Sequence, residues 1–117
     1  IINKIRKNKN NGFIMSLGGG AYLNNNIRLL IDSIGLSIWL NASIDIIYNR
    51  LTKSKNERPL ILTYNTKEKL EKLLKDRMLY YNKAKIIVNV MKTSKDSMTD
   101  IILKKINEYL TLKNDQN

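Results

Sequence analysis

Three consecutive glycines, Gly18, Gly19 and Gly20, directly follow an apolar run in the stretch FIMSLGGGAYL. Glycine loses more backbone freedom on folding than any other residue, so three in a row need a reason. Backbone N–H groups without a nearby β-carbon can approach a hydroxyl, carboxylate or phosphate that a side chain would push away. The alternative is a tight turn between a strand and a helix, and the triplet alone leaves both interpretations open.

Arginine is scarce in this lysine-rich chain. Of its 21 basic residues only five are arginine. The abundance of Ile, Lys and Asn is typical of an AT-rich coding bias, which raises lysine content without selection for binding. Positions that remain arginine are therefore candidates for sites that need the planar, bidentate guanidinium. Two stand in distinctive contexts: Arg58 precedes the only proline, Pro59, and Arg77 lies four residues before Tyr81.

Composition excludes several classes of site. The 117-residue chain has no cysteine and no histidine, which excludes a disulfide framework, a Cys or His zinc site and a His-based triad. No apolar run approaches the ~20 residues that span a bilayer, and no signal-peptide pattern is visible, so we expect a cytoplasmic enzyme or binding domain. The net charge of +11 suggests anionic partners, although the coding bias weakens that inference.

The apolar periodicity predicts alternating strands and helices. Strands are predicted at residues 13–17, 36–40 and 85–90, and residues 52–65 are predicted to be a polar loop. Five helices are expected. The first is a helix tail at residues 1–5, and the second begins at an Asn cap among residues 24–26 and ends at Gly35. The other three begin at a Ser43 cap, at Thr66, and at a capping box from Ser97 to Asp100.

This order of elements is typical of an α/β domain with a parallel sheet. Three strands make a thin sheet and the first helix lacks a start, so we expect an N-terminal portion to be absent. The glycine triplet would lie beyond the carboxyl end of a strand, where such sheets bind ligands. It is neither a Walker A loop nor the G-x-G-x-x-G dinucleotide fingerprint, because the spacing and the following residues differ from both.

Taken in order, the motifs SLGGGA, IWLNAS, RPLI and R-x-x-x-Y-x-x-A closely resemble shikimate kinases, from about residue 13 to residue 106. The resemblance implies a three-layer α/β/α P-loop kinase of the nucleoside-monophosphate-kinase type, truncated at its N-terminus. It implies transfer of the γ-phosphate of ATP to the 3-hydroxyl of shikimate, with Mg²⁺. Residues 1–112 would be the C-terminal part of a single domain with a lid at about residues 52–65, and residues 113–117 a polar tail.

The same resemblance assigns the substrate site. Gly19 and Gly20 would contribute to shikimate binding, and Arg77 would bind the shikimate carboxylate. A carboxylate suits a bidentate guanidinium, which agrees with that assignment. Without the resemblance, an arginine within a helix is more often a surface residue.

On the nucleotide side, the resemblance makes Arg58 the catalytic lid arginine that closes over the ATP phosphates. Arg50 is a looser match for an arginine near the adenine, because the lid is one residue longer here. Ser16 would lie near Mg²⁺ through a water molecule. Arg6 and Arg28 are expected on the surface, whereas Trp39, Tyr80 and Tyr81 are expected in the core.

The chain also departs from the family pattern. Leu79 stands where the family usually carries proline, and the sequence contains no G-x-x-x-x-G-K-[ST] loop. We therefore expect the chain alone to be inactive. One alternative is another small-molecule kinase, gluconate-kinase-like. Another is a non-catalytic remnant that binds nucleic acid nonspecifically. The favoured interpretation predicts a monomer with shikimate and ATP as ligands and no nucleic-acid or membrane partner.

Overall fold

The computed structural model describes residues 1–8, 10–53 and 67–115. Within these ranges the chain forms a two-stranded parallel sheet accompanied by helices. The elements are α1 (Ile2–Asn8), a 3₁₀ turn (Ala21–Leu23), α2 (Asn25–Ile34), β1 (Ile38–Asn41), α3 (Ile44–Lys53), α4 (Lys67–Tyr81), β2 (Ile86–Asn89) and α5 (Lys95–Asp115). The α/β class and the parallel sheet predicted from the sequence are confirmed.

The two strands pair from Ile38 opposite Ile86 to Asn41 opposite Asn89. Buried Ser37 anchors the start of this ladder, because its hydroxyl accepts a hydrogen bond from the N–H of Lys85 at 3.0 Å. At the other end, the Asn41 side chain donates to the Asn89 side chain at 3.3 Å. The carboxyl ends of the strands are therefore joined by side chains as well as by the backbone.

Three predicted helix boundaries are confirmed. The Asn24 side chain accepts a hydrogen bond from the N–H of Ile27, which caps the start of α2. The hydroxyl of Ser43 accepts one from the N–H of Ile46 at the start of α3. Helix α2 ends before Gly35, as expected. The predicted start at Thr66 lies outside the described residues, which resume with α4 at Lys67.

Two local predictions are wrong. Residues 13–17 form no strand, because a strand needs a hydrogen-bonded neighbour and the sheet of the described residues pairs only β1 with β2. Ile14 there is fully exposed.

The cap of α5 is Ser94 rather than Ser97: the Ser94 hydroxyl accepts a hydrogen bond from the N–H of Ser97 and donates one to the Ser97 hydroxyl. Ser97 occupies the third helical position, whose N–H an N-cap side chain binds. Helix α5 also extends to Asp115, so part of the predicted polar tail is helical.

The buried apolar residues come from most of these elements. Leu70 of α4 and Val88 of β2 are the most enclosed, at 1% and 0% exposure. The other buried apolar side chains are Ile5, Tyr22, Ile27, Leu51 and Ile86. At the surface, Lys67 at the start of α4 forms an ion pair with Asp45 of α3. None of the described helices is long and apolar enough to cross a membrane.

Candidate functional site

The glycine triplet forms a turn that continues into the 3₁₀ element. The N–H of Ala21 donates to the carbonyl of Gly18 at 3.0 Å, and the N–H of Leu23 donates to the carbonyl of Gly20 at 3.2 Å. None of the three glycines has a positive φ; Gly12 does, at 65°. Backbone conformation therefore does not require glycine in the triplet, which weakens the tight-turn interpretation.

Space favours glycine at position 19, because a side chain there would displace the ends of two neighbouring side chains. A β-carbon there would lie 2.5 Å from Nη1 of Arg77 and 2.9 Å from the Tyr81 hydroxyl. At Gly20 the nearest such atom is Nη2 of Arg77, at an ordinary 3.9 Å, and a β-carbon at Gly18 would meet nothing within 4 Å. The absence of a side chain thus lets the guanidinium approach the backbone at Gly19. The structure brings together the three residues predicted to bind substrate.

Arg77 projects from the second half of α4 and is partly buried. Its Nε is buried and has no hydrogen-bond partner among the described residues. Buried polar groups nearly always have a partner, so a donor without one is where an acceptor from a ligand is expected. The guanidinium offers five N–H donors and no acceptor, which suits a carboxylate or a phosphate.

Tyr81 lies one helical turn after Arg77, on the same side of α4. Its hydroxyl donates a hydrogen bond to the carbonyl of Gly19 at 2.7 Å. Its ring lies 5.7 Å from that of Trp39 and 6.4 Å from that of Tyr22, both tilted. Tyr81 and Trp39, which were expected in the core, are only partly buried. Tyr80 is 36% exposed, so its predicted place in the core is wrong.

Arg28 is buried, at 9% exposure, so its predicted surface position is also wrong. Its Nη1 donates to the carbonyl of Tyr22 at 2.7 Å, and its Nη2 donates to the Asn25 side chain at 3.3 Å. The guanidinium also lies 5.3 Å from the ring centroid of Tyr80. Those contacts account for the burial, because the cation donates two hydrogen bonds and lies over an aromatic ring. The contact with Tyr80 has no sign in a single sequence, since Tyr80 is distant along the chain.

The residues predicted for the nucleotide side lie elsewhere. Arg50, in the last turn of α3, lines an open groove together with Lys53 and Lys92, which follows β2. The groove contains neither Gly19 nor Arg77. Its three cations could attract an anion such as a phosphate. Arg58, the predicted catalytic lid arginine, lies outside the described residues.

Ser16 is exposed, in an irregular segment just before the glycines. It offers one hydroxyl. The described residues contain no group of three or more Asp, Glu, His or Cys side chains that could hold a metal ion. By themselves they do not fit a Mg²⁺ site, and no catalytic step through Mg²⁺ follows from their geometry.

Comparison with known proteins gives consistent results. A family model described as shikimate kinase matches residues 1–107. A curated shikimate kinase of Bartonella henselae is 37% identical over 110 residues, covering 93% of this chain and 52% of that protein. One of Rhizobium meliloti is 36% identical over 96 residues, covering 82% and 50%. The chain thus spans about half the length of these relatives.

A structural neighbour agrees with the sequence matches. The crystal structure of a shikimate kinase from Bacteroides thetaiotaomicron superposes with a TM-score of 0.68, at 20% identity, over 93% of this chain and 64% of the other. That likeness shows the fold, and the P-loop kinase architecture expected from the sequence is confirmed.

Proposed function

The chain belongs to the shikimate kinase family, and we propose that the protein to which it contributes phosphorylates shikimate. The reaction transfers the γ-phosphate of ATP to the 3-hydroxyl of shikimate. From the family we further propose a cytoplasmic monomer without a nucleic-acid or membrane partner. The observation that carries the proposal is the approach of the Arg77 guanidinium to the backbone of Gly19, where a β-carbon would collide with it.

In this proposal Arg77 binds the carboxylate of shikimate. Its guanidinium is held near Gly19, and its Nε lacks a partner among the described residues, so donors are available for an acidic ligand. Gly19 and Gly20 let the backbone approach the substrate beside that carboxylate. Binding at two such points would fix the orientation of the ring, and phosphoryl transfer depends chiefly on positioning and charge neutralisation.

ATP and Mg²⁺ are proposed as the cofactors from family membership. The groove of Arg50, Lys53 and Lys92 supports a nearby contact with the nucleotide, because its charge suits an anion. Arg58 is proposed as the lid arginine over the phosphates, where comparable arginines contribute ~10³–10⁵ in rate. Ser16 is proposed to contact Mg²⁺ through water. The Mg²⁺ would neutralise charge on the phosphates, and its direct ligands would have to come from residues other than those described.

The experiment is an assay of the full-length protein with ATP, Mg²⁺ and shikimate, following ADP release and the phosphorylated product. We expect turnover that depends on shikimate. The 117-residue chain assayed in parallel should be inactive, because its sequence contains no G-x-x-x-x-G-K-[ST] loop to cradle the phosphates.

The matched control replaces shikimate with gluconate, and a further control replaces Arg77 with Ala. Turnover of gluconate but not of shikimate would favour a gluconate-kinase-like enzyme. Failure of both acceptors, with nucleic-acid binding that weakens steeply as salt rises, would favour a non-catalytic remnant.

A further inference from the structure

We propose that Tyr81 is a positioning residue for substrate binding: its hydroxyl holds the Gly19–Gly20 peptide in the orientation that the substrate needs. The inference rests on the proposed function and deepens it. Tyr81 itself is not proposed to touch the substrate. It acts through the backbone of the glycine turn, and it shares that turn with Arg77.

The first observation is that two side chains of α4 converge on one glycine. The hydroxyl of Tyr81 and Nη1 of Arg77 both lie within 3 Å of the point where a β-carbon of Gly19 would stand. The two residues are four apart on the helix and therefore face the same side. One rigid element thus fixes both the cation and the backbone that the cation approaches.

The second observation concerns the Tyr81 ring. It contacts Trp39 of β1 and Tyr22 of the 3₁₀ turn at centroid distances of 5.7 Å and 6.4 Å. Neighbours on two other elements restrict the ring, so its hydroxyl lies at a defined position. A defined donor can orient the carbonyl that it meets, here that of Gly19 at 2.7 Å.

The third step follows from peptide geometry. The carbonyl of Gly19 and the N–H of Gly20 belong to one planar, trans peptide group, in which they point in opposite directions. When Tyr81 holds that carbonyl, it also sets the direction of the Gly20 N–H, away from Tyr81. This N–H is a backbone donor within the segment proposed to bind substrate. Without the Tyr81 hydroxyl, the peptide could rotate easily, because neither glycine carries a side chain.

The test compares Tyr81→Phe with Tyr22→Phe in the full-length enzyme. Both changes remove one hydroxyl and keep the ring. The Tyr22 hydroxyl is buried and has no hydrogen-bond partner among the described residues, so its loss leaves the glycine turn untouched. We expect Tyr81→Phe to raise the KM for shikimate by about 2- to 10-fold, the effect of one neutral hydrogen bond. The KM for ATP and the melting temperature should stay close to those of the parent, and Tyr22→Phe should leave both KM values unchanged.

A double-mutant cycle measures a coupling between Tyr81 and Arg77 in the shikimate KM that a purely structural role of Tyr81 would not produce. Tyr81→Phe and Arg77→Lys should affect the shikimate KM non-additively, because both residues act on Gly19. The inference is overturned if the parent phosphorylates shikimate while Tyr81→Phe has the parental KM, or if the two effects add. Absence of shikimate turnover in the parent would instead contradict the proposed function, so the two failures are distinguishable. If Tyr81→Phe lowers the melting temperature, binding of shikimate by the folded variant, measured by calorimetry at low temperature, replaces the KM.

Discussion

Nη1 of Arg77 lies 2.5 Å from the point where a β-carbon of residue 19 would stand. A side chain at position 19 would therefore collide with the Arg77 guanidinium unless the guanidinium or the backbone moved. Because Arg77 is the residue proposed to bind the carboxylate, a substitution at Gly19 disturbs the ligand site rather than the fold alone.

Gly19→Val should displace the guanidinium and weaken shikimate binding, while the protein remains folded. Gly18→Ala is the matched control, because a β-carbon at Gly18 meets nothing within 4 Å and its φ is not positive. The measurement is calorimetric binding of shikimate to each full-length variant, with circular dichroism as the check on folding. Normal binding by Gly19→Val would mean that the triplet serves only as a turn.

Arg77→Lys keeps the charge but loses the bidentate fork, so it should not behave as a conservative change. Losing a hydrogen bond to a charged group costs about 1.5–3 kcal/mol, which corresponds to a rise of roughly 10- to 100-fold in the KM for shikimate. Steady-state kinetics with each substrate varied in turn would measure it. The KM for ATP should change little, and equal effects on both substrates would argue against a carboxylate contact.

Arg28→Ala should destabilise the fold by about 1–3 kcal/mol, because it leaves the buried carbonyl of Tyr22 without its donor. It also removes the contact with the Tyr80 ring. Urea unfolding of the full-length protein gives the free energy of unfolding. Arg6→Ala is the control, since Arg6 is exposed and its loss should be close to neutral. Equal effects of the two changes would show that the Arg28 contacts contribute nothing.

Leu70→Ala should lower the free energy of unfolding by about 2–5 kcal/mol, because the side chain is 1% exposed and its truncation leaves a cavity. Leu79→Ala in the same helix should cost far less, since Leu79 is 73% exposed. The same unfolding experiment tests both. A smaller loss for Leu70 than for Leu79 would contradict the packing of α4 described above.

The ion pair of Asp45 and Lys67 predicts a pH-dependent effect of small size. The hydrogen bond from Lys67, and to a smaller extent its positive charge, lower the pKa of Asp45 below its ordinary 3.8. In the same way, the hydrogen bond to Asp45 and its negative charge raise the pKa of Lys67 above its ordinary 10.5. The pair therefore stabilises the fold between these values; the contribution is lost as pH falls through the lowered Asp45 pKa, or rises through the raised Lys67 pKa.

Asp45→Asn should accordingly lower the melting temperature slightly at neutral pH, because both side chains are exposed to solvent. The difference from the parent should vanish well below pH 3.8 and in 1 M salt, where charges are screened. Asp32→Asn, at an exposed position of α2, is the control. A deficit that persists in acid or in high salt would mean that the pair is not its cause.

Local patterns in the sequence predicted much of the fold. Strand β1 and strand β2 lie within two residues of their predicted bounds, and the Asn24 and Ser43 caps are as expected, because they depend on short-range chemistry. The strand predicted at residues 13–17 is absent, because an apolar pattern does not show whether a partner strand is available elsewhere in the chain. The wrong cap at α5 arose because serine is a favourable N-cap residue at both Ser94 and Ser97, and only Ser97 has an acidic residue three positions later.

The candidate site was predicted from the sequence only for the residues that belong to the motifs of the family resemblance. The neighbourhood of Arg77 and the glycine triplet followed from the resemblance, and the structure brings them together. The hydrogen bond of Tyr81 was missed because it joins residues far apart in sequence. The burial of Arg28 was missed because it depends partly on the distant Tyr80, although its hydrogen bonds to Tyr22 and Asn25 are local. The Arg58 prediction falls outside the described residues and stays a prediction.

Helix α4 is tied at both ends, to α3 through Lys67 and to the glycine turn through Tyr81. Adding or removing one residue between these ties would rotate everything beyond it by about 100° and shift it by ~1.5 Å along the axis. Arg77 and Tyr81 would then face away from Gly19. Related enzymes should therefore vary freely in the amino acids that face solvent along this helix, yet keep its residue count constant. Differences in chain length among them should accumulate in the connections before and after α4.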